Sequence, residues 1–573
     1  MIENPILPGF HPDPSICRTE DDFYLVTSSF SFFPGVPIFH SRDLAHWEQL
    51  GYVLNRPSQL SVNYELLSCG IYAPTIRYHD GIFYVITTNV TDGGKNFVVT
   101  AENPGGPWSE PHVLEGANGI DPSLFFDDDG KVYYTGTTRV ETENGGYPAI
   151  WCSRIDLQEM KLIGERCILW EGALRGCHAP EGPHIYKKDG WYYLMIAEGG
   201  TEHMHAVTIS RSRSVMGRYE GYPGNPILTH RHLGRRYPVC NVGHGDLVEL
   251  KDGSWYIVFL ASRLMDGYHK ILGRETFLAP VVWEEGWPVV SPGTGRAELS
   301  YPQPKSLPEQ PFEKEALPLE TELDFGRLPG KEERAGISVG LRELGLEWNQ
   351  IGTPGESFYK IEEGCLKLKL MKNELVPWEL DGLSADFWGS RISMLQDRRG
   401  TVSFLGRRQQ HMEFEAVTML EFMPGPGEGA GLTVIQNDAN QLRLEIRLDE
   451  KGGKEAACIS VRTVVREGKQ YFEEELKGCR KLPEDTSVFY LKMKGNYTHY
   501  SFYVSTDGVN DWKVAKAVDG SFLGSETCGG FIGAYIGLFA FADETKDKYA
   551  AFRSFSYRAE MDGEAEDRRR DHK

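Results

Sequence analysis

Three acidic residues in the first half of the chain stand next to prolines, in Asp13-Pro14, Asp121-Pro122 and Pro180-Glu181. Two carboxyl groups on either side of a sugar linkage are the minimum machinery for glycoside hydrolysis. One must be protonated and reach the leaving oxygen, and the other must be ionised and act on water or on the sugar carbon. The acid needs a raised pKa, which burial or a neighbouring negative charge supplies. A third carboxylate would provide that charge, so this trio predicts acid–base chemistry on a glycoside.

Taken singly, each of these residues has a simpler interpretation. Asp13 and Asp121 could be turn residues ahead of a proline, and Glu181 could lie on a surface loop. The loop interpretation fits Glu181 less well, because two prolines stiffen its segment and two imidazoles flank it. That segment reads His178-Ala179-Pro180-Glu181-Gly182-Pro183-His184.

The acidic residues belong to an internal repeat that occurs five times at offsets of 60, 48, 58 and 65 residues. Each copy opens on a short cluster and continues through a turn, usually Asp-Gly, into an aromatic-rich strand. Asp-Gly between apolar runs is a strong hairpin signal, because glycine tolerates a positive φ. The opening clusters are Asp13-Pro14-Ser15-Ile16, Ala73-Pro74-Thr75-Ile76, Asp121-Pro122-Ser123-Leu124, Ala179-Pro180-Glu181 and His244-Gly245-Asp246.

Each repeat is long enough for one four-stranded sheet, and five such sheets arranged radially form a β-propeller. Parallel αβ units would need amphipathic helices between the strands, and the sequence has no convincing ones. The innermost strands of a propeller line a central channel. We therefore expect Asp13, Asp121, Glu181 and His244 to converge there from four different blades.

The second half predicts a separate β-sandwich. A Pro- and Glu-rich stretch reads as a linker, and alternating runs such as Cys365–Leu370 and Leu442–Arg447 follow it. The fold prediction is thus all-β: a five-bladed β-propeller over residues 1–307, a linker over 308–321, a β-sandwich over 322–560 and a charged tail over 561–573.

The composition excludes several classes of partner. With 61 Lys and Arg against 82 Asp and Glu, the formal net charge is −21, which disfavours nucleic acid and anionic membranes but not neutral sugars. The ten cysteines show no paired spacing, and the N-terminus MIENPILPGF has no signal-peptide pattern. We therefore expect reduced thiols and a cytoplasmic location. The sequence leaves the oligomeric state open and allows a homo-oligomer.

Four segments carry a family resemblance: Asn4–Ser15, Phe33–Pro37, Glu181–His184 and Leu272–Phe277. They resemble glycoside hydrolase family 43, in its β-xylosidase and α-L-arabinofuranosidase branch with a C-terminal β-sandwich. The resemblance covers nearly the whole chain and includes Phe404–His411 in the second half. It implies a five-bladed propeller that hydrolyses glycosides by single-displacement inversion and needs no cofactor.

The resemblance also implies roles for individual residues. Asp13 resembles the general base that activates water, Glu181 the general acid, and Asp121 the residue that adjusts the pKa of the acid. Arg274 resembles an arginine that binds sugar hydroxyls. Phe30, Phe32 and Tyr72 fall where relatives place aromatic walls against the sugar. Many relatives have tryptophan at the position of Tyr72, so the choice between a xylosyl and an arabinosyl ligand stays open.

Metal binding is a weaker expectation. Some members of the family use a histidine at the position of His244 near the propeller axis, at a calcium or water site. A calcium ion there would be held mostly through waters, because calcium prefers oxygen ligands; a hydrogen-bonded channel histidine is the equal alternative. The pairs His203/His205 and His230/His232 could share a strand face, but no matching ligand spacing supports zinc.

The sequence therefore predicts an exo-acting hydrolase that releases xylose from the non-reducing end of short β-1,4-xylo-oligosaccharides, in xylan degradation. The same site could also act on α-L-arabinofuranosides. The alternatives are a predominantly α-L-arabinofuranosidase activity and a non-catalytic sugar-binding propeller. Binding alone does not need a carboxyl group of raised pKa, which favours catalysis.

Overall fold

The computed structural model of the protein describes residues 1–62, 66–91, 93–143, 145–174, 178–308, 319–327, 344–372, 375, 383–384 and 400–560. These residues form two compact units, Met1–Tyr268 with Gly273–Leu317 and His269–Leu272 with Pro318–Lys573. Most of the predicted linker and all of the predicted charged tail lie outside the described residues. None of the described helices is long and apolar enough to cross a membrane.

The first unit is a five-bladed β-propeller, which confirms the predicted fold. Each blade is a four-stranded antiparallel sheet, and its strands follow one another in chain order from the axis outwards. The blades are Ser15–Arg18, Phe23–Val26, Gly35–Ser41 and Glu48–Leu54; Ile71–His79, Ile82–Asn89, Lys95–Ala101 and His112–Val113; Ser123–Phe126, Val132–Val140, Tyr147–Asp156 and Lys161–Trp170; Glu181–Lys188, Trp191–Glu198, Ala206–Ser212 and Glu220–Gly221; and Val239–Glu249, Trp255–Arg263, Glu275–Glu284 and Trp287–Val290.

The repeated Asp-Gly pairs form the hairpins that the sequence predicts. In blade 2 the φ angles of Asp80 and Gly81 are 48° and 83°, and in blade 4 those of Asp189 and Gly190 are 50° and 72°. Two consecutive positive φ angles match the twist of the strands that the turn joins. Each turn therefore sends the chain from the innermost strand back along the second strand of the same blade.

The innermost strands of the five blades form a closed ring in which each strand contacts its two neighbours. The N-terminal segment joins the end of the unit to blade 5, because Ile2–Glu3 pairs antiparallel with Ser300–Tyr301 and Leu7 pairs with Thr276 on the third strand of blade 5. The apolar side chains between neighbouring blades are fully buried, as Ile16, Phe259 and Val242 illustrate. A short strand, Phe32–Phe33, and a 3₁₀ turn, Arg231–Leu233, lie in the loops.

The second unit is a β-sandwich, as the sequence predicts. Its two sheets pack against each other, accompanied by the short helix Ser525–Cys528 and the 3₁₀ turns Phe325–Arg327 and Ser521–Leu523. One sheet contains Thr321–Asp324, Tyr359–Glu362, Cys365–Lys369, Tyr549–Ala559, Glu413–Glu421, Val488–Asn496, His499–Ser505 and Trp512–Asp519. The other contains Leu383–Ser384, Lys469–Lys481, Lys454–Arg466, Asn440–Leu448, Gly429–Asn437, Tyr535–Ala542, Phe404–Arg408, Asn349–Ile351 and Met371–Lys372.

Candidate active site

Each blade begins with a residue in a left-handed backbone conformation. The φ angle is 54° at Asp13, 29° at Ala73, 55° at Asp121, 58° at Ala179 and 47° at His244. This conformation costs roughly 1 kcal/mol or more for a residue other than glycine, and it is least unfavourable for Asp and Asn. Five equivalent strained residues at the start of the innermost strands indicate a built site, because strain of this kind concentrates where function requires it.

Asp13 is a buried, ionised carboxylate with three polar neighbours. Ser28 Oγ donates to Asp13 Oδ2 at 2.6 Å, and Arg274 Nη1 donates to Oδ1 at 2.6 Å. The Nδ1 atom of His244 lies 3.8 Å from the same Oδ1. Burial alone would raise the pKa of Asp13, but the Arg274 charge, the His244 ring and the Ser28 hydrogen bond together lower it. Asp13 can therefore accept a proton from a bound water at neutral pH.

Asp121 and Glu181 form the opposite kind of environment. Carboxylate oxygens of the two residues and a ring nitrogen of His244 all lie within 4.8 Å of one another. Burial and the charge of Asp13 raise the pKa of Glu181 to about 7, against the opposing effect of Arg274. Burial and the nearby Glu181 and Asp13 also raise the pKa of Asp121, although the Gly182 N–H donates to Asp121 Oδ2 at 3.1 Å. The pair therefore retains a proton near neutral pH.

His244 joins the two halves of this arrangement. It is buried, and burial lowers its pKa, so the ring is neutral where Asp13 is ionised. Its ring packs on Gly182, where an added Cβ would lie 3.0 Å from the imidazole. The same ring is close to Asp13 on one side and to Glu181 and Asp121 on the other. One sugar residue placed over it can thus meet the ionised and the protonated carboxyl groups at once.

Of the predicted aromatic residues, Phe30 and Tyr72 form one wall next to this site. Their ring centroids are 5.0 Å apart, and the Arg274 guanidinium lies 5.8 Å from the Phe30 ring. Tyr72 is partly exposed and its hydroxyl donates to the Ser68 carbonyl oxygen at 2.7 Å. Phe32 exposes none of its surface, so its assignment as a sugar-contacting ring stays a prediction.

The structure also places residues at the site that no sequence pattern indicates. Ser28 bonds Asp13 and also accepts from the Ala73 N–H at 2.7 Å, which ties blade 1 to blade 2. His205, considered only as half of a zinc pair, is buried on blade 4, and burial lowers its pKa to about 3. Its Nδ1 donates to the Asn241 carbonyl oxygen at 2.9 Å, whereas Nε2 bonds no residue that the structure describes. Neither residue has a local sequence signal, because each acts through a contact with another blade.

The arrangement can perform acid–base catalysis on one bond. It offers an ionised carboxylate that can deprotonate water and a protonated carboxyl group of pKa about 7 that can protonate a leaving oxygen.

Comparisons with known proteins agree with this chemistry. Residues 2–288 match the model of glycosyl hydrolases family 43, and residues 341–558 match that of the β-xylosidase C-terminal concanavalin A-like domain. A xylosidase/arabinosidase of Butyrivibrio fibrisolvens is 43% identical over 97% of this chain and 99% of its own length. The chain belongs to glycosyl hydrolase family 43.

Two further relatives span both units of this family 43 protein. A non-reducing end α-L-arabinofuranosidase, BoGH43B, of Bacteroides ovatus is 36% identical over 94% of this chain and 91% of its own. The crystal structure of a xylan β-1,4-xylosidase from Bacillus halodurans superposes with a TM-score of 0.82 at 33% identity, covering 97% of this chain and 100% of the other. The protein is thus a glycoside hydrolase of an inverting family.

Proposed function

We propose that this protein is an exo-acting glycoside hydrolase that releases xylose from the non-reducing end of short β-1,4-xylo-oligosaccharides. The observation that carries the proposal is the contrast between ionised Asp13 and protonated Glu181 around one imidazole, His244. The names of the similar proteins support the sugar, since they include xylosidases and arabinosidases.

In the proposed reaction Asp13 takes a proton from a water molecule, which attacks the anomeric carbon. Glu181 gives its proton to the glycosidic oxygen as the bond to that oxygen breaks. The new C–O bond forms on the face opposite the leaving group, so the configuration inverts in a single step. Arg274 keeps Asp13 ionised and can donate to sugar hydroxyls. Asp121 lies close to Glu181, whose charge raises the pKa of Asp121.

An α-L-arabinofuranosidase activity is the second candidate. The names of the similar proteins favour it, since three of them are named for arabinosyl substrates. The partly exposed Tyr72 ring stands where many relatives have tryptophan, so the pocket wall has its own shape here. We propose it as a side activity of the same site. A sugar-binding propeller without turnover would leave the raised pKa of the half-buried Glu181 unexplained.

A calcium ion near His244 is the remaining expectation for the site. The oxygens of Asp121 and Glu181 and a nitrogen of His244 lie close enough to surround a cation. They fit calcium poorly, because calcium prefers oxygen donors and because both carboxyl groups have raised pKa values. A cation there would favour the ionised form of Glu181 and remove the acid. We therefore expect a chelator to leave kcat and KM unchanged.

We also propose a cytoplasmic location. Cys17 and Cys152 are free thiols, and both are buried. Burial raises the pKa of both of these thiols, which makes them unreactive. Fractionation of the producing cells would test this location.

The test of the function uses xylobiose, 4-nitrophenyl β-D-xyloside and 4-nitrophenyl α-L-arabinofuranoside. We expect turnover of all three substrates, with the larger kcat/KM on the xylosides. Polarimetry or NMR during xylobiose hydrolysis should show α-xylose as the first product, as inversion requires. Folded protein that binds xylose but hydrolyses none of the three would contradict the proposal.

A further inference from the structure

A second group of polar residues lies on the inner strands, two or more residues beyond the catalytic positions. We call it the axial network; it contains Ser15, Arg77, Ser123, His184, Tyr186 and Asp246. Ser15 follows Asp13 by two residues in blade 1, and Asp246 follows His244 by two residues in blade 5. Tyr186 lies five residues after Glu181, on the same strand of blade 4.

Asp246 is the centre of the axial network. Its Oδ2 accepts from Ser15 Oγ at 2.6 Å, from the Ile16 N–H at 3.2 Å and from Arg77 Nη1 at 2.8 Å. Its Oδ1 accepts from the Tyr186 hydroxyl at 2.6 Å and from Arg77 Nη2 at 3.3 Å. The side chain exposes no surface. One carboxylate of blade 5 is thus bonded directly to blades 1, 2 and 4.

His184 brings in the remaining blade. Its Nδ1 accepts from Arg77 Nη2 at 2.9 Å and lies 3.1 Å from Ser123 Oγ of blade 3. Burial lowers the pKa of His184 to about 3, so the ring is neutral and its Nδ1 is an acceptor. The network therefore links all five inner strands through side chains.

The charges of the network are balanced within it. The groups that face Asp246 are Arg77, neutral His184, the Tyr186 hydroxyl and the buried Cys17 thiol, together with Ser15. A buried ion pair of this kind adds little net stability compared with apolar packing, because desolvation of the two charges offsets their attraction. Its benefit must then lie in geometry, since five directional hydrogen bonds fix where each strand runs.

We propose that Asp246 is a positioning residue for hydrolysis, which holds the strand that carries the general base in register with the strand that carries the general acid. Asp13 stands on blade 1 and Glu181 on blade 4, and blade 5 lies between these blades in the ring. Asp246 bonds both neighbours of its blade, because it accepts from Ser15, two residues after Asp13, and from Tyr186 on the Glu181 strand. This inference rests on the roles proposed for Asp13 and Glu181.

The test uses aryl β-D-xylosides whose leaving groups differ in their need for a proton. A dinitrophenyl xyloside leaves without help, whereas xylobiose needs the acid. A displacement of about 1 Å at a catalytic group can cost on the order of 100-fold in rate. For Asp246→Asn, which keeps the shape but removes the charge, we expect kcat on xylobiose to fall about 100-fold. On the dinitrophenyl xyloside the fall should be about tenfold, with KM changed less than about threefold on both.

Two milder variants separate the two arms of the network. Tyr186→Phe removes the hydrogen bond that ties the strand of Glu181 to Asp246, together with the bond that the hydroxyl accepts from the Leu247 N–H at 2.9 Å. The fall in kcat should therefore be larger on xylobiose than on the dinitrophenyl xyloside. Ser15→Ala removes the hydroxyl, two residues after Asp13, that donates to Asp246 and accepts from the Ile76 N–H at 3.1 Å and Arg77 Nη1 at 3.3 Å. The fall in kcat should be the same on both substrates, because every substrate needs the activated water. Both changes are small enough to preserve folding if Asp246→Asn does not.

The matched control is Asp43→Asn in an outer turn of blade 1. Asp43 is also fully buried and accepts from the Ala45 and His46 N–H groups at 3.0 and 2.8 Å, but it bonds no inner strand. It should lower stability without changing the ratio of rates on the two substrates. The same ratio for wild type, Tyr186→Phe and Asp246→Asn would overturn the inference.

Glu181→Gln in the same panel keeps the two proposals apart. If kcat of Glu181→Gln falls much more on xylobiose than on the dinitrophenyl xyloside, the role of Glu181 holds. The Asp246 and Tyr186 variants then decide the positioning role alone. If kcat of Glu181→Gln falls equally on both substrates, the proposed role of Glu181 as the acid is wrong, and the positioning inference is wrong with it.

Discussion

Glu181 and Asp246 are carboxyl groups on the inner strands of neighbouring blades, and their pKa values are shifted in opposite directions. Burial raises the pKa of Glu181 to about 7. Burial also acts on Asp246, but Arg77, the nearby His184 and the Ser15 hydroxyl lower its pKa to about 2. Asp246 accepts five hydrogen bonds, whereas no described residue donates to Glu181. The hydrogen-bond donors around Asp246 therefore keep that carboxyl ionised. The lack of donors to Glu181 among the described residues favours its protonated form.

The largest expected effect concerns Asp13, which, like Asp246, accepts hydrogen bonds that keep its carboxyl ionised. Asp13→Asn keeps the size of the side chain but cannot accept a proton from water. We expect kcat to fall about 1,000-fold, equally on xylobiose and on the dinitrophenyl xyloside, because both need the nucleophile. Steady-state kinetics with both substrates measure this. Residual activity within tenfold of wild type would exclude Asp13 as the base.

The pH profile tests the contrast between the two catalytic carboxyls. We expect kcat/KM of the wild type to rise as Asp13 ionises, below the usual range for aspartate, and to fall as Glu181 loses its proton near pH 7. Arg274→Met removes a cation that lowers both pKa values. Both limbs should then move to higher pH by about one unit, and kcat/KM should fall about 100-fold.

The control for that profile is Lys251→Met, which removes an exposed cation paired with Asp21. Its profile should match that of the wild type. Limbs that stay in place in Arg274→Met, or move to lower pH, would show that Arg274 does not set these pKa values.

The contributions of Asp246 and Glu181 to stability should change with pH in opposite directions. The folded pKa of Asp246, about 2, lies below the ordinary value of 3.8. Asp246 therefore stabilises the fold above about pH 4 and loses this contribution as the pH falls through 2. We expect Asp246→Asn to lower the free energy of unfolding by about 2 kcal/mol at pH 7 and by little at pH 2. Denaturant titrations at the two pH values measure the difference.

Glu181→Gln should give the opposite sign. The folded pKa of about 7 lies above the ordinary 4.5, so the wild type is most stable below pH 4.5 and loses stability as the pH rises through 7. The uncharged amide avoids this loss. Because the partly exposed carboxyl is screened by solvent, we expect a gain of only about 1–2 kcal/mol at pH 8 and none at pH 4. A variant that is less stable than wild type at pH 8 would contradict this account of Glu181.

The smallest effect concerns the aromatic wall, where shape and not charge decides. Tyr72→Trp enlarges the ring and removes the hydroxyl that donates to Ser68. We expect the ratio of kcat/KM between the xyloside and the arabinofuranoside to change by about tenfold or less, with the pH limbs unmoved. Tyr72→Phe, which removes only the hydroxyl, is the control, and an equal change in it would point to the Ser68 bond and not to ring shape.

The repeat in the sequence was enough to predict the propeller, because Asp-Gly turns and strand alternation are local signals. The convergence of Asp121, Glu181 and His244 also followed from their shared place in the repeat. The carboxyl environments did not. Arg274 lowers the pKa of Asp13 from 261 positions away. Arg77 and Ser15 lower the pKa of Asp246 from 169 and 231 positions away, each from another blade. No window of sequence contains such a pair.

The left-handed residue that opens every blade has a consequence for protein engineering. The five openings share one backbone geometry, yet Ala73 and Ala179 carry only a methyl group there. Asparagine and aspartate tolerate this geometry better than alanine does. An aspartate or asparagine could therefore replace Ala73 or Ala179 and add a polar group near the site without a change in the main chain.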